Sequence, residues 1–403
     1  MRQTKFIFSS FLLLTLLIAS CNRDDKKIGR QNVKIGALLS LTGNWSSLGI
    51  TSRAAMDIAL EDINAYMEET GSRYRFTSEI FDTKLDASLA TDFIAEASKN
   101  GCKFILGPQS SAEAAAVNSY ASANDMLVVS QGSTAGTLSI ENDNLFRFCP
   151  DDHIEGLAMA NTIYNSGIRA LITAAREDAG NMGLQTSTGK AFQNKGGMLY
   201  ITTPYSPVTS NFSALLSEIK TKILQYSATH DTSKIAVYLA SFDECVGLFQ
   251  QAANDPVLSK VRWYGGDGTA LSAALIGNAT AADFAIATEY FAPAFGLPAQ
   301  ASAKWQPLSE KIKHRTGITP DAFALASYDA VWVMALTYNA YPYSKIDFGK
   351  LKAEFSDQAS RYYGATGTTM LNAAGDRAVG SYDYWGLEKT GSGYSWRLVG
   401  KSE

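Results

Sequence analysis

The chain has 403 residues, 46% of them hydrophobic, and carries 35 lysines and arginines against 39 aspartates and glutamates, a formal net charge of −4. That balance lacks the basic surplus on which nucleic-acid binding depends, so no nucleic-acid partner is expected. Four cysteines are too few for a disulfide scaffold, and the length exceeds what one core usually supports, which favours two domains.

Residues 1–20 read as a secretory signal peptide, with Arg2 and Lys5 as the basic start and residues 6–19 as the apolar run. The run is shorter than the roughly twenty apolar residues needed to span a bilayer. It ends Leu17-Ile18-Ala19-Ser20-Cys21, similar to the bacterial lipobox, which implies acylation of Cys21. Residues 21–32 are charged and aperiodic and predict a lipidated tether. Loss of Arg2 and Lys5 takes the net charge to −6. No later apolar run is long enough to cross a membrane, so the body is expected outside the cytoplasm, held to the membrane by its lipid. Cys102, Cys149 and Cys245 then read as buried small apolar side chains.

After the tether, residues 33–39 form a continuous apolar strand, and Met56, Ala59, Leu60, Ile63 and Met67 recur at helical spacing. The unit repeats as strand 76–81, helix 86–99, strand 104–106, helix 110–123 and strand 126–130. Unbroken apolar strands alternating with helices predict a parallel sheet covered on both faces. A second series places strands at 170–173, 198–203, 235–240, 261–264 and 284–288, with helices at 212–224 and 244–253. A helix follows at 323–341. The segments 381–387 and 394–399, joined through Thr390-Gly391-Ser392-Gly393, predict a hairpin. An antiparallel pair after so much parallel sheet implies that the chain re-enters a lobe it left earlier.

In open α/β sheets, ligands bind beyond the carboxyl ends of the strands. There the sequence places Gly107-Pro108-Gln109-Ser110-Ser111-Ala112-Glu113, in which Ser110 and Glu113 fit a capping box. Ser111 then sets a hydroxyl beside helix N-terminal amides, a place suited to a carboxylate or simply to a cap. After the next strand come Ser130-Gln131-Gly132-Ser133-Thr134, with two hydroxyls behind a glycine. Asp267, within Tyr264-Gly265-Gly266-Asp267-Gly268, is either a turn residue or the counter-ion of an ammonium. Trp45 and Phe242 lie near strand ends, as core or ligand wall.

The chemistry of catalysis is missing. His153, His230 and His314 lack metal-ligand spacing, no C-x-x-C pair exists, and neither a Walker loop nor a G-x-G-x-x-G follows the first strand. No enzyme activity, metal or cofactor is expected.

Residues 33–43 (VKIGALLSLTG), 54–64 (AAMDIALEDIN), 107–111 (GPQSS), 130–134 (SQGST) and 326–331 (ASYDAV) occur in one order along the chain. Together they resemble the leucine/isoleucine/valine-type substrate-binding proteins of ABC transporters, of type I periplasmic-binding fold. The resemblance covers nearly all of the chain after the signal. It implies two doubly wound parallel-sheet α/β lobes joined by three hinge strands near 148–152, 290–293 and 366–370. Lobe 1 would comprise 33–150 and 292–367, and lobe 2 would comprise 151–291 and 368–403. It also implies a small amino-acid-like ligand, with the carboxylate on Ser111 and Thr134 and on backbone near Gly132 and Ser133, and the ammonium on Asp267. Leu48 and Phe242 fall where side-chain walls are implied, and Trp45, Gln109 and Met182 complete the candidate ligand-binding set. ABC permease subunits are the implied partners; a sensory module signalling to a membrane partner is the alternative. Gln131, Ala135-Gly136, Asn181-Met182-Gly183 and the short Asp267 depart from the family pattern, which leaves the ligand's side chain open.

Overall fold

The computed structural model describes residues 30–341, 347–391 and 393–402. The signal at residues 1–20, the lipidation at Cys21 and most of the tether lie outside the described residues.

The first lobe is built from β1 (Gln31–Leu39), α1 (Ser46–Glu69), β2 (Tyr74–Asp82), α2 (Ala87–Lys99), β3 (Phe104–Leu106), α3 (Ser111–Ala123), β4 (Leu127–Ser130) and β5 (Leu145–Arg147). Its five strands are parallel, in the order β2-β1-β3-β4-β5. Every residue of β3 and β4 is buried, which is why these strands read as unbroken apolar runs rather than alternating ones. Met56, Ala59, Leu60, Ile63 and Met67 of α1 all face the core.

The second lobe follows as α4 (Asp152–Asn165), β6 (Ala170–Ala175), α5 (Ala179–Asn194), β7 (Met198–Ile201), α6 (Ser213–Ser227), β8 (Ile235–Ala240), α7 (Cys245–Ala252), β9 (Arg262–Gly265), α8 (Ala273–Ile276), α9 (Ala279–Ala287) and β10 (Phe291–Phe295). The chain then returns to the first lobe as α10 (Ser302–Thr316), α11 (Ala322–Ala340) and α12 (Phe348–Arg361), passes a short pair, β11 (Tyr363–Gly364) and β12 (Gly367–Thr368), and ends as β13 (Tyr382–Thr390) and β14 (Gly393–Lys401). The second sheet runs β14-β13-β10-β9-β8-β6-β7, with the terminal hairpin antiparallel at its edge. Re-entry is seen in the cores, where α11 contributes Ala326, Ala330, Val331 and Met334 to the cluster holding Met56 and Ile63 of α1.

One element differs in kind from the sequence reading. Residues 284–288 belong to the end of α9 and its cap, not to a strand: the run is alanine-rich, Asn278 caps the helix through Ala281, and the strand begins only after Glu289 turns the chain at φ +51°. Two lobe boundaries also shift. β10 pairs with β9 and β13, so the return to the first lobe follows Phe295 and not residue 291. Asp376 bridges Arg147 at the edge of the first sheet, so the last passage follows that contact and not residue 367. Between β5 and α4 the chain passes from the first sheet to the second. Arg377 ties passages together, donating from Nη1 to the Phe148 carbonyl at 3.3 Å and to the Thr366 hydroxyl at 2.8 Å.

Candidate ligand-binding gap

The carboxyl ends of β3 and β4 present two loops that lock onto each other. Ser110 caps α3 by accepting the Glu113 N–H at 3.3 Å, and Glu113 Oε2 accepts the Ser110 N–H at 3.2 Å, completing the capping box. Ser111, the first residue of the helix, accepts the Ala135 N–H at 3.0 Å. The 130–135 loop is fixed from behind by the Arg147 guanidinium, which donates to the carbonyls of Ser133 at 3.2 Å and Ala135 at 2.8 Å. Arg147 is itself fully buried and bidentate to Asp376, at 2.5 and 2.7 Å. Thr134 is thus carried at the gap by a backbone with little freedom to move.

The facing wall comes from the second lobe. Asp267 follows β9, and its N–H donates to Glu155 Oε1 at 3.2 Å. Its carboxyl is buried, and Oδ2 has no hydrogen-bond partner within the protein. Burial pushes this group up to about 7, with the charge of Asp321 adding to the rise, while the Gly268 amide and the Thr134 hydroxyl act in the opposite direction. The start of α5, capped by Asp178 on the Asn181 N–H at 3.0 Å, supplies Gly180, Asn181 and Leu184.

Trp45, Ser110, Ser111, Gly132 and Thr134 therefore face Gly180, Asn181, Leu184, Phe242 and Asp267 across one gap. The cavity left between them is only about 10 Å3, room for about one water, so a guest enters only when the lobes part. The two walls are in contact. Trp45 stacks on Phe242 with centroids 4.7 Å apart, Ser47 Oγ accepts the Ala273 N–H at 3.1 Å, and the Trp45 and Ser46 amides favour the charged Asp243 carboxyl, which burial otherwise pushes up. A Cβ on Gly180 would lie 3.2 Å from Ser111 Oγ, so the two lobes approach closely there. Trp45 holds a left-handed backbone, φ +56°, a strained conformation for so large a residue.

Four residues of the sequence-derived set lie outside this gap. Gln109 is fully buried and spent on its own loop: Oε1 accepts the Ser40 N–H at 3.1 Å and Nε2 donates to the Trp45 carbonyl at 2.9 Å. Ser133 sits a layer behind, its N–H on Ser130 Oγ at 3.0 Å. Leu48 packs beneath Gly132 and lines an adjoining hollow with Trp45, Ser47 and Leu271. Met182 points outward, 41% exposed, because its neighbours Asn181 and Leu184 occupy the inner face of α5.

The sequence reading missed Asp152 and Glu155. Both are buried carboxyls, pushed well above their ordinary range by burial first and the charge of Asp267 next. The available signal was an acid pair spaced i, i+3 at the start of a helix that follows directly on a lobe passage. Among the described residues no set of three histidines, cysteines or carboxylates is arranged to hold a metal, and Cys102, Cys149 and Cys245 are free and buried. Among the described residues, too, no helix is long and apolar enough to cross a membrane.

Residues 51–390 match the family described as "Receptor family ligand binding region". An uncharacterised protein of Methanocaldococcus jannaschii is 26% identical over 417 aligned residues, covering 98% of this chain and 97% of the relative. The Leu/Ile/Val-binding protein homolog 3 of Brucella melitensis is 26% identical across 47% of this chain and 51% of its own. Among solved structures, the branched-chain amino acid transporter substrate-binding protein of Streptococcus pneumoniae, in complex with isoleucine, superposes with a TM-score of 0.73 at 17% identity, covering 92% of this chain and 99% of that one. At that identity the superposition establishes a shared fold.

Proposed function

From the premise that the chain belongs to the family of receptor ligand-binding regions, we propose that it is an extracytoplasmic solute-binding protein that captures a small amino acid or amino-acid-like ligand for an ABC importer. One observation carries this reading: hydroxyls and helix N-terminal amides on one lobe face a buried, under-partnered Asp267 on the other, across a gap of small volume. A carboxylate is stabilised by Ser111, Thr134 and the positive end of α3, and an ammonium by Asp267. Closure excludes water, so each charge of the guest must find its partner inside. The three passages between lobes serve as the hinge. The relatives named for branched-chain or Leu/Ile/Val binding support the amino-acid class.

Lipidation of Cys21 after removal of residues 1–20 holds the protein at the membrane beside its permease. Conversion of Cys21 to alanine should release it into the soluble fraction. A thermal-shift screen against the common amino acids tests the ligand class, since a guest that binds only the folded state raises the melting temperature; no shift with any of them would refute it. A sensory role is the second reading, favoured by the receptor members implied in the family's description. Unimpaired uptake of the identified ligand in cells lacking the chain would favour sensing over transport.

A further inference from the structure

The second-lobe wall holds more acid than a zwitterion uses. Asp152 and Glu155 share one face of the first turn of α4 and are 2% and 0% exposed. Glu155 accepts the Asp267 N–H, which sets its carboxyl directly behind the one that lines the gap. Asp152 points at the first turns of α5, where its Oδ2 would lie 2.4 Å from a Cβ built on Gly183. Gly180, three residues earlier on the same helix, lines the gap.

Among the described residues no lysine, arginine or histidine forms an ion pair with these acids. Both Asp152 oxygens, Glu155 Oε2 and Asp267 Oδ2 make no hydrogen bond within the protein. The neighbouring arginines are committed elsewhere, Arg147 to Asp376 and Arg176 to Asp178 and Glu244. In the empty protein burial favours the neutral carboxyls, and the Thr134 hydroxyl lies near enough to Asp152 to take part in a hydrogen bond with it. A single ammonium draws one of three mutually repelling carboxyls into its charged form and leaves the other two without a counter-ion in a dry wall.

Resting on the amino-acid reading above, we propose that the guest is a basic amino acid whose short side chain ends in a second ammonium, placed between Asp267 and the Asp152–Glu155 pair. Ornithine and lysine have that chemistry. Binding would then displace protons from the acid cluster, whose members are pushed upward by burial and by one another. The charged groups bearing on it are Asp151, Asp178, Asp321 and Arg147, with the buried Tyr238 and Tyr382 hydroxyls beside them.

Calorimetric titration of the full chain with L-ornithine and with L-norleucine, its neutral counterpart of equal length, tests the proposal. Ornithine should bind about tenfold or more tightly, and Asp152→Asn and Glu155→Gln should each narrow that ratio. Heats compared in two buffers of different ionisation enthalpy should show more protons released by ornithine than by norleucine, a readout that needs no variant to fold. Norleucine binding as tightly as ornithine, or ornithine binding without proton release, would overturn the proposal and leave the amino-acid reading standing. Equal binding of 1,4-diaminobutane would keep the second cation and overturn the amino-acid reading. Binding of neither probe, with no thermal shift from any other α-amino acid, would overturn both.

Discussion

The two walls of the gap solve opposite problems. On the first lobe the groups behind the loops are tied together: Arg147 is bidentate to Asp376, Glu113 and Ser110 cap each other, and Ser111 is oriented by the Ala135 amide. On the second lobe Asp152, Glu155 and Asp267 keep oxygens without partners. One wall is held by its own hydrogen bonds; the other, on the proposal above, would be completed by a cation against it. Binding energy is therefore expected to come from charge neutralisation on the second wall and from orientation on the first.

That contrast is most directly broken through its charges. Asp376→Asn strands the buried Arg147 guanidinium and should lower folding stability by about 3–5 kcal/mol, read from urea denaturation, whereas Glu155→Gln should leave the ligand-free protein as stable or more so. A similar loss from both would mean that the second wall is already neutralised. Asp267→Ala should weaken binding of the amino acid that gives the largest thermal shift by on the order of 3–5 kcal/mol, measured by calorimetry. Ser111→Ala, which removes one charge-assisted hydrogen bond, should cost about 1.5–3 kcal/mol of the same affinity.

The pH dependence of the empty protein sharpens the comparison further. A carboxyl raised in the folded state stabilises the fold fully below its unfolded value, near 4, and that contribution is lost as pH rises through the folded value, here about 7 for Asp267. The ligand-free melting temperature should thus fall between pH 5 and pH 8, and Asp267→Asn should flatten the fall; an unchanged slope would place the effect elsewhere. The smallest effect belongs to Met182→Ala, on the outer side of α5, which should shift stability and affinity by no more than about 0.5 kcal/mol.

Much of this was legible in the sequence because the strands are buried on both faces and the glycine-rich loops stand at their carboxyl ends. The loops single out Ser111, Gly132, Thr134 and Asp267, the family resemblance adds Trp45 and Phe242, and the fold brings all six to one gap. Gln109 misled because a polar residue in a binding loop looks like a ligand contact, and only coordinates reveal that both ends of its amide are occupied. Met182 misled by one helical position, since register on α5 is set by packing and not by sequence neighbours. Asp152 and Glu155 escaped notice because acids at a helix start are ordinarily solvated; here the approach of β9 and α5 buries them. The strand expected at 284–288 failed because a short apolar run does not by itself separate helix from strand.

A crystal structure of the protein with the amino acid that gives the largest thermal shift tests the central claim most directly. The ligand carboxylate should lie within hydrogen-bonding distance of the Ser111 and Thr134 hydroxyls and its α-ammonium against the Asp267 carboxylate, with both lobes in contact around it. A ligand seated outside the gap, or bound in it with its carboxylate turned toward Asp267, would contradict it.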